Sequence, residues 1–169
     1  MTDTLTSLVA LFQRDLAALR REIEAYPDDA LPWREIAGLT NAGGTLALHL
    51  AGNLQHYIGA ILGRTGYIRD RPAEFSRRGV SRAELCAEID ATQRAVRETL
   101  MKLSPAQLAA PYPEPLAKHN FSTGDLLIHL AVHLGYHLGQ VDYHRRAATG
   151  SSVTIGAMAL PELASARPA

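Results

Sequence analysis

Seven histidines are distributed unevenly over the 169 residues of the chain. Four of them fall in the stretch IHLAVHLGYHLGQVDYH, from Ile128 to His144, and His129, His133 and His137 recur at four-residue intervals. Neutral imidazole is a common ligand for divalent transition metals. Residues four apart on a helix are neighbours on one face. The repeat is therefore either a solvated stripe or part of a metal site.

Helix geometry limits the second reading. Consecutive members of the series differ by about 40° around the axis and about 6 Å along it, so two rings can meet one ion. His129 and His137 differ by about 80° and about 12 Å, so all three cannot do so from one straight helix. The apolar stripe of Leu126, Leu130, Leu134, Leu138 and Val141 selects the pair. Measured from Leu126, its centre lies near about 60–70°, with His137 at about 20°, His133 at about 340° and His129 at about 300°. His133 and His137 face the interior best, and His129 becomes a flanking group. Two histidines are too few for a tight site, which usually takes three or four protein ligands. His49, in LALHLAGNLQHYIGAIL, is the best third candidate; Asn53 lies one turn on, His56 two turns on, and His119 sits in a proline-rich loop. His49 lies on the flank of its own apolar stripe, which suits a seam between two helices better than a bundle axis.

Four segments have the period needed to position these residues. The first, Thr4 to Ala25, carries Leu5, Leu8, Phe12, Leu16, Leu19 and Ile23 on one stripe. Pro27 and Pro32 oppose its continuation. The second runs from about Thr45 to Leu62. A long aperiodic connection follows, in which Arg69, Asp70 and Arg71 are read either as a contact for an anionic substrate or, the favoured reading, as a loop ion pair. The third begins at the capping box Ser81–Glu84, with Val80 and Leu85 as its hydrophobic staple. Ser104–Gln107 predicts a short extra turn, with Pro105 at its first position. The fourth runs from the cap Ser122, with Asp125 in its first turn and Phe121 and Leu126 as staple, to about Thr149. The expectation is an all-α four-helix bundle over residues 1–150 and a partly irregular tail over 151–169. The long second-to-third connection leaves the order of the helices open.

The motifs resemble a known family. HLAVHLGYHLGQVDYHRR resembles the last bundle helix of the DinB-like superfamily, where histidines recur every four residues before a Gly-Gln pair. HLAGNLQHYIGAILG, followed by RDRPAEF, resembles the second helix and next loop of a bacterial branch of that superfamily. The likeness spans Leu46 to Arg146. It implies a four-helix bundle, often dimeric, with a divalent metal, zinc or nickel, held by three histidines. Mapped by motif these are His49, His133 and His137. Characterised relatives include transferases that use low-molecular-weight thiols. Leu138 stands where many relatives carry arginine after the last ligand, so an anion-binding role does not transfer to that position.

Composition narrows the function classes. Lys+Arg and Asp+Glu are 17 each, so the net charge is zero, and no basic stripe for nucleic acid is expected. Arg20-Arg21, Arg77-Arg78 and Arg145-Arg146 read as solvated helix ends. The single cysteine, Cys86, excludes an intrachain disulfide and reads as a small buried residue. No signal peptide or membrane span is expected, which predicts a cytoplasmic protein without a membrane partner. Exposed helix faces make a homodimer the expected assembly.

Three imidazoles would leave one metal position open for water, thiol or a small-molecule substrate, the catalytic pattern. His129 and Gln140 are the candidates for proton transfer, and Asn53, His56 and His144 for substrate binding or support of the ligands. No glutamate occupies an obvious general-base position on the second or fourth helix, which weakens a hydrolase reading. The leading expectation is a metal-dependent enzyme, a thiol transferase or hydrolase. The alternatives are a non-catalytic metal-binding or stress-response bundle, and a metal-free helical dimer.

Overall fold

Asp3 accepts a hydrogen bond from the Thr6 amide at 2.7 Å and so opens α1 (Thr4–Glu24). The structure, a computed structural model, describes residues 3–168. The predicted stripe of α1 is its buried face, from Leu5 to Ile23. α2 (Gly43–Leu54) runs directly into a π-helix over Gln55–Leu62, in which the Gly63 amide reaches back to the Ile58 carbonyl at 2.9 Å. α3 (Arg71–Ser76) follows in the connection. α4 (Arg82–Leu100) starts at the capping box read from the sequence, and α5 (Pro105–Ala109) is the predicted extra turn, where Ser104 and Gln107 form a second capping box. α6 (Thr123–Thr149) starts at Ser122 and stops at Gly150, whose φ of 71° is left-handed. The described residues contain isolated bridges and no strand.

Helix neighbours define a bundle. α1 packs against α4 and α6, and α2 packs against the same two. α1 and α2 therefore face each other across one diagonal, and α4 and α6 across the other. The second and third bundle helices are neighbours despite their long connection; the other two connections cross the bundle. A single core of leucine, isoleucine and valine from all four helices fills the space, with Phe12 and Tyr26 among it. Cys86 is buried at its edge.

Three features depart from the sequence reading. α2 has no exposed face, since all twelve of its residues are buried. A helix enclosed on every side has no stripe whose phase can place His49. The connection after the π-helix is not irregular throughout. Asp70 caps α3 by accepting from the Ala73 amide at 3.0 Å, and Pro72 suits its first turn. Finally, Arg145 is no solvated helix end. It is 2% exposed, bound to Glu22 and Asp142, and it donates to the Val153 carbonyl at 2.9 Å. With Arg146 donating to Ser152 and Ile155 packed on the core, it ties the first part of the tail to the bundle. The only regular element in the rest of the described tail is a 3₁₀ turn at Leu160–Glu162.

Candidate metal centre

His49 comes from the middle of α2, and His133 and His137 come from the neighbouring α6. One ring nitrogen from each lies within 4.8 Å of the other two. The three rings stand nearly edge to face, with centroids 4.5 to 5.4 Å apart. Nε2 of His49 and Nε2 of His133 are 3.4 Å apart. Two nitrogens at about 2.0–2.1 Å from a tetrahedral ion stand roughly 3.3 Å apart, so the His49–His133 spacing fits two ligands of one divalent ion, and the His137 nitrogen lies within reach as the third.

The outer ring nitrogens decide which atoms face inward. His49 Nδ1 donates to Glu74 Oε2 at 3.0 Å, and His137 Nδ1 donates to Gln140 Oε1 at 2.6 Å. Each leaves Nε2 with a free lone pair. Such partners fix the tautomer and orientation of a ligand ring. His133 has no such partner; its Nδ1 is buried without one among the described residues.

Charge in the site follows from burial. Burial drives the His133 pKa down to about 4, and the adjacent His137, His49 and His129 rings and Arg69 push the same way. Burial also lowers His49, against the opposing pull of the Glu74 carboxylate. Both rings are therefore neutral at pH 7, with lone pairs available to a metal.

Glu74 is the residue that sequence reasoning missed. It is 5% exposed and lies on α3, outside the two helices that carry the histidines. Besides His49 it accepts two hydrogen bonds from Arg69, at 2.7 and 3.0 Å. The predicted partner of the loop arginines was Asp70, which is used instead as the α3 cap. The available signal was the Asp-Arg-Pro start of a short helix. Room for the carboxylate exists because residue 52 is glycine: a Cβ there would overlap Glu74 Oε1.

The three histidines open onto a cleft of about 450 Å³ whose other walls include Asn53, Tyr57, Arg71 and Phe75. Asn53 is 7% exposed and its Oδ1 has no hydrogen-bond partner among the described residues. Arg71 lies over the Phe75 ring, 5.1 Å from its centroid. Gln140 is exposed and holds His137. His129 is exposed too, stacked on His133 with centroids 6.3 Å apart.

The remaining candidates sit elsewhere. His56, on the π-helix, packs on Tyr57 and is absent from the walls of the cleft, and burial lowers its pKa. His144 is 1% exposed with both nitrogens engaged, Nδ1 with the Tyr26 hydroxyl at 2.6 Å and Nε2 with the Arg34 carbonyl at 2.8 Å. It ties α6 to the segment between α1 and α2 and presents no free atom to substrate, which corrects its expected role. His119 is exposed in the loop before α6, against the Ala117 carbonyl.

Residues 11–141 match the family described as the DinB superfamily. No curated protein matches the chain.

Proposed function

Since this chain belongs to the DinB superfamily, we propose that it is a divalent-metal-dependent enzyme acting on a small molecule, with His49, His133 and His137 as ligands. The observation that carries this reading is the convergence of three imidazole nitrogens, two of them on rings oriented by Glu74 and Gln140, at the wall of an open cleft. Zinc or nickel bound there would act as a Lewis acid at its open position, making a coordinated thiol or water acidic near neutral pH. The chain's own residues do the rest. Glu74 and Gln140 hold two ligand rings in register, Asn53 and Arg71 offer polar contacts to a substrate, and Phe75 and Tyr57 limit water.

Within this reading a low-molecular-weight thiol suits the site better than water. Hydrolysis benefits from a free general base beside the nucleophile. Glu74 is committed to Arg69 and His49 behind the cleft, and no carboxylate is among the described walls of the cleft. The same observation favours one second reading, a metal-binding or stress-response bundle without catalysis.

Metal analysis of protein purified without a histidine tag, beside His133→Ala, tests the assignment. Near-stoichiometric metal in the parent and little in the variant is expected. Equal, sub-stoichiometric metal in both would remove it.

A further inference from the structure

The metal cleft continues beyond the histidines. A second cleft of about 430 Å³ adjoins it, sharing Asn41 and Leu46 as walls. Its other walls include Leu39, Tyr136, Gly139 and Tyr143. Tyr136 and Tyr143 are two turns apart on α6 and are 65% and 73% exposed. Gly139 lies between them, and a Cβ there would meet nothing within 4 Å. The gap between the two rings is thus open down to the helix backbone. Gln140 joins the two spaces: its carbonyl holds the His137 ring, and it also lines the second cleft.

The metal cleft contains two groups that the protein leaves without an ionic or hydrogen-bonding partner. Arg69 is neutralised by Glu74, whereas Arg71, exposed at the rim of the cleft, lies on the Phe75 face and makes no hydrogen bond or ion pair among the described residues. Asn53 Oδ1 is buried with nothing donating to it. A buried acceptor of this kind costs free energy until a donor arrives. The adjoining cleft presents Leu39, Leu46, Tyr136 and Tyr143 beside the polar Thr40, Asn41 and Gln140, with space for a ring.

We propose that the two clefts form one site for an aminothiol carboxylate with an apolar or aromatic body. Its sulfur lies at the histidines, its carboxylate at Arg71, its ammonium at Asn53, and its body between Tyr136 and Tyr143 over Gly139. Gly139 is then the residue that sets how large a body is accepted. The inference rests on the metal reading above and adds the class of ligand.

The test uses cobalt(II)-loaded protein and the near-ultraviolet band that a sulfur ligand produces on cobalt. The probes are cysteine, 3-phenylcysteine, cysteamine (no carboxylate) and 3-mercaptopropionate (no ammonium). The parent protein should bind 3-phenylcysteine at least ~10-fold more tightly than cysteine, because the phenyl group is removed from water. It should also prefer cysteine to cysteamine and to 3-mercaptopropionate. Gly139→Leu fills the second cleft, and leucine is the better helix former, so the fold is kept. In that variant the preference for 3-phenylcysteine should collapse to within ~2-fold. Arg71→Gln should collapse the preference for cysteine over cysteamine. Persistence of the phenyl preference in Gly139→Leu, its absence from the parent, or an unchanged cysteamine ratio in Arg71→Gln would each overturn the proposal. Cobalt binding that survives His133→Ala would instead remove the metal reading beneath it.

Discussion

Gly52 of α2 and Glu74 of α3 are fitted to each other: a Cβ at position 52 would stand 2.8 Å from the Glu74 carboxyl carbon and overlap one of its oxygens. Gly52→Ala should push the carboxylate away from His49 and Arg69. Alanine is favoured in a helix by roughly 1 kcal/mol, yet overpacking costs about 1–3 kcal/mol. A lower melting temperature is expected, with cobalt(II) affinity reduced about 10–100-fold as the support of a ligand ring is lost. Titration calorimetry showing parental affinity would mean that Glu74 does not orient His49.

The Arg69–Glu74 pair has side chains only 9% and 6% exposed. Removing one member of a buried pair costs about 3–5 kcal/mol, because the other charge is stranded. Glu74→Gln should lose roughly that much stability in urea unfolding. Glu74→Gln with Arg69→Met should regain most of the stability and none of the metal affinity. Recovery of both would show that the carboxylate serves Arg69 alone.

His133 and His144 separate metal binding from folding. His133→Ala should lose the metal and leave a folded protein. His144→Ala should keep the metal and strand the Tyr26 hydroxyl, which is on a residue 1% exposed. A buried polar group left without its partner costs about 1–3 kcal/mol. Parallel metal analysis and thermal melting check the pair, and the opposite pattern would exchange their roles.

Proton linkage supplies a further check on metal-free protein. The pKa values of His49, His133 and His144 are held below the ordinary 6.5, chiefly by burial. Such a histidine binds fewer protons folded than unfolded, so its stabilisation is complete above pH 6.5 and is lost as the pH falls towards about 4, the His133 value. Glu22 works in the other direction. Burial raises it to about 7, so the folded state binds its proton first and gains stability as the pH falls from about 7 towards 4.5. Glu22→Gln should therefore make the acid-side loss of melting temperature steeper than in the parent. Equal slopes between pH 7 and 5 would show that Glu22 is ionised in the fold over that range.

The helices were legible because their signals are local. Ser81–Glu84, Ser104–Gln107 and Ser122 each specify a start within four residues, and the stripe of α1 specifies a buried face. His133 and His137 were legible because one helix carries both. His49 needed its motif, since a helix enclosed on all sides has no informative phase. Glu74 was not legible: what brings it to His49 is the return of a short helix across Gly52, which depends on tertiary packing. His144 misled for a related reason. Its spacing puts it on the histidine-bearing helix, but Tyr26, 118 positions away, claims its Nδ1. The π-helical turn was invisible because the residue types that form it also form ordinary helix.

The two sides of the triad lie 84 residues apart in sequence, at His49 and His133. An ion held there would close that span as a clasp between adjoining bundle helices. Any species that binds only the folded state protects it by mass action. Heat tolerance and resistance to proteases would then vary with metal supply, and chelation would shorten the lifetime of the protein without altering a covalent bond.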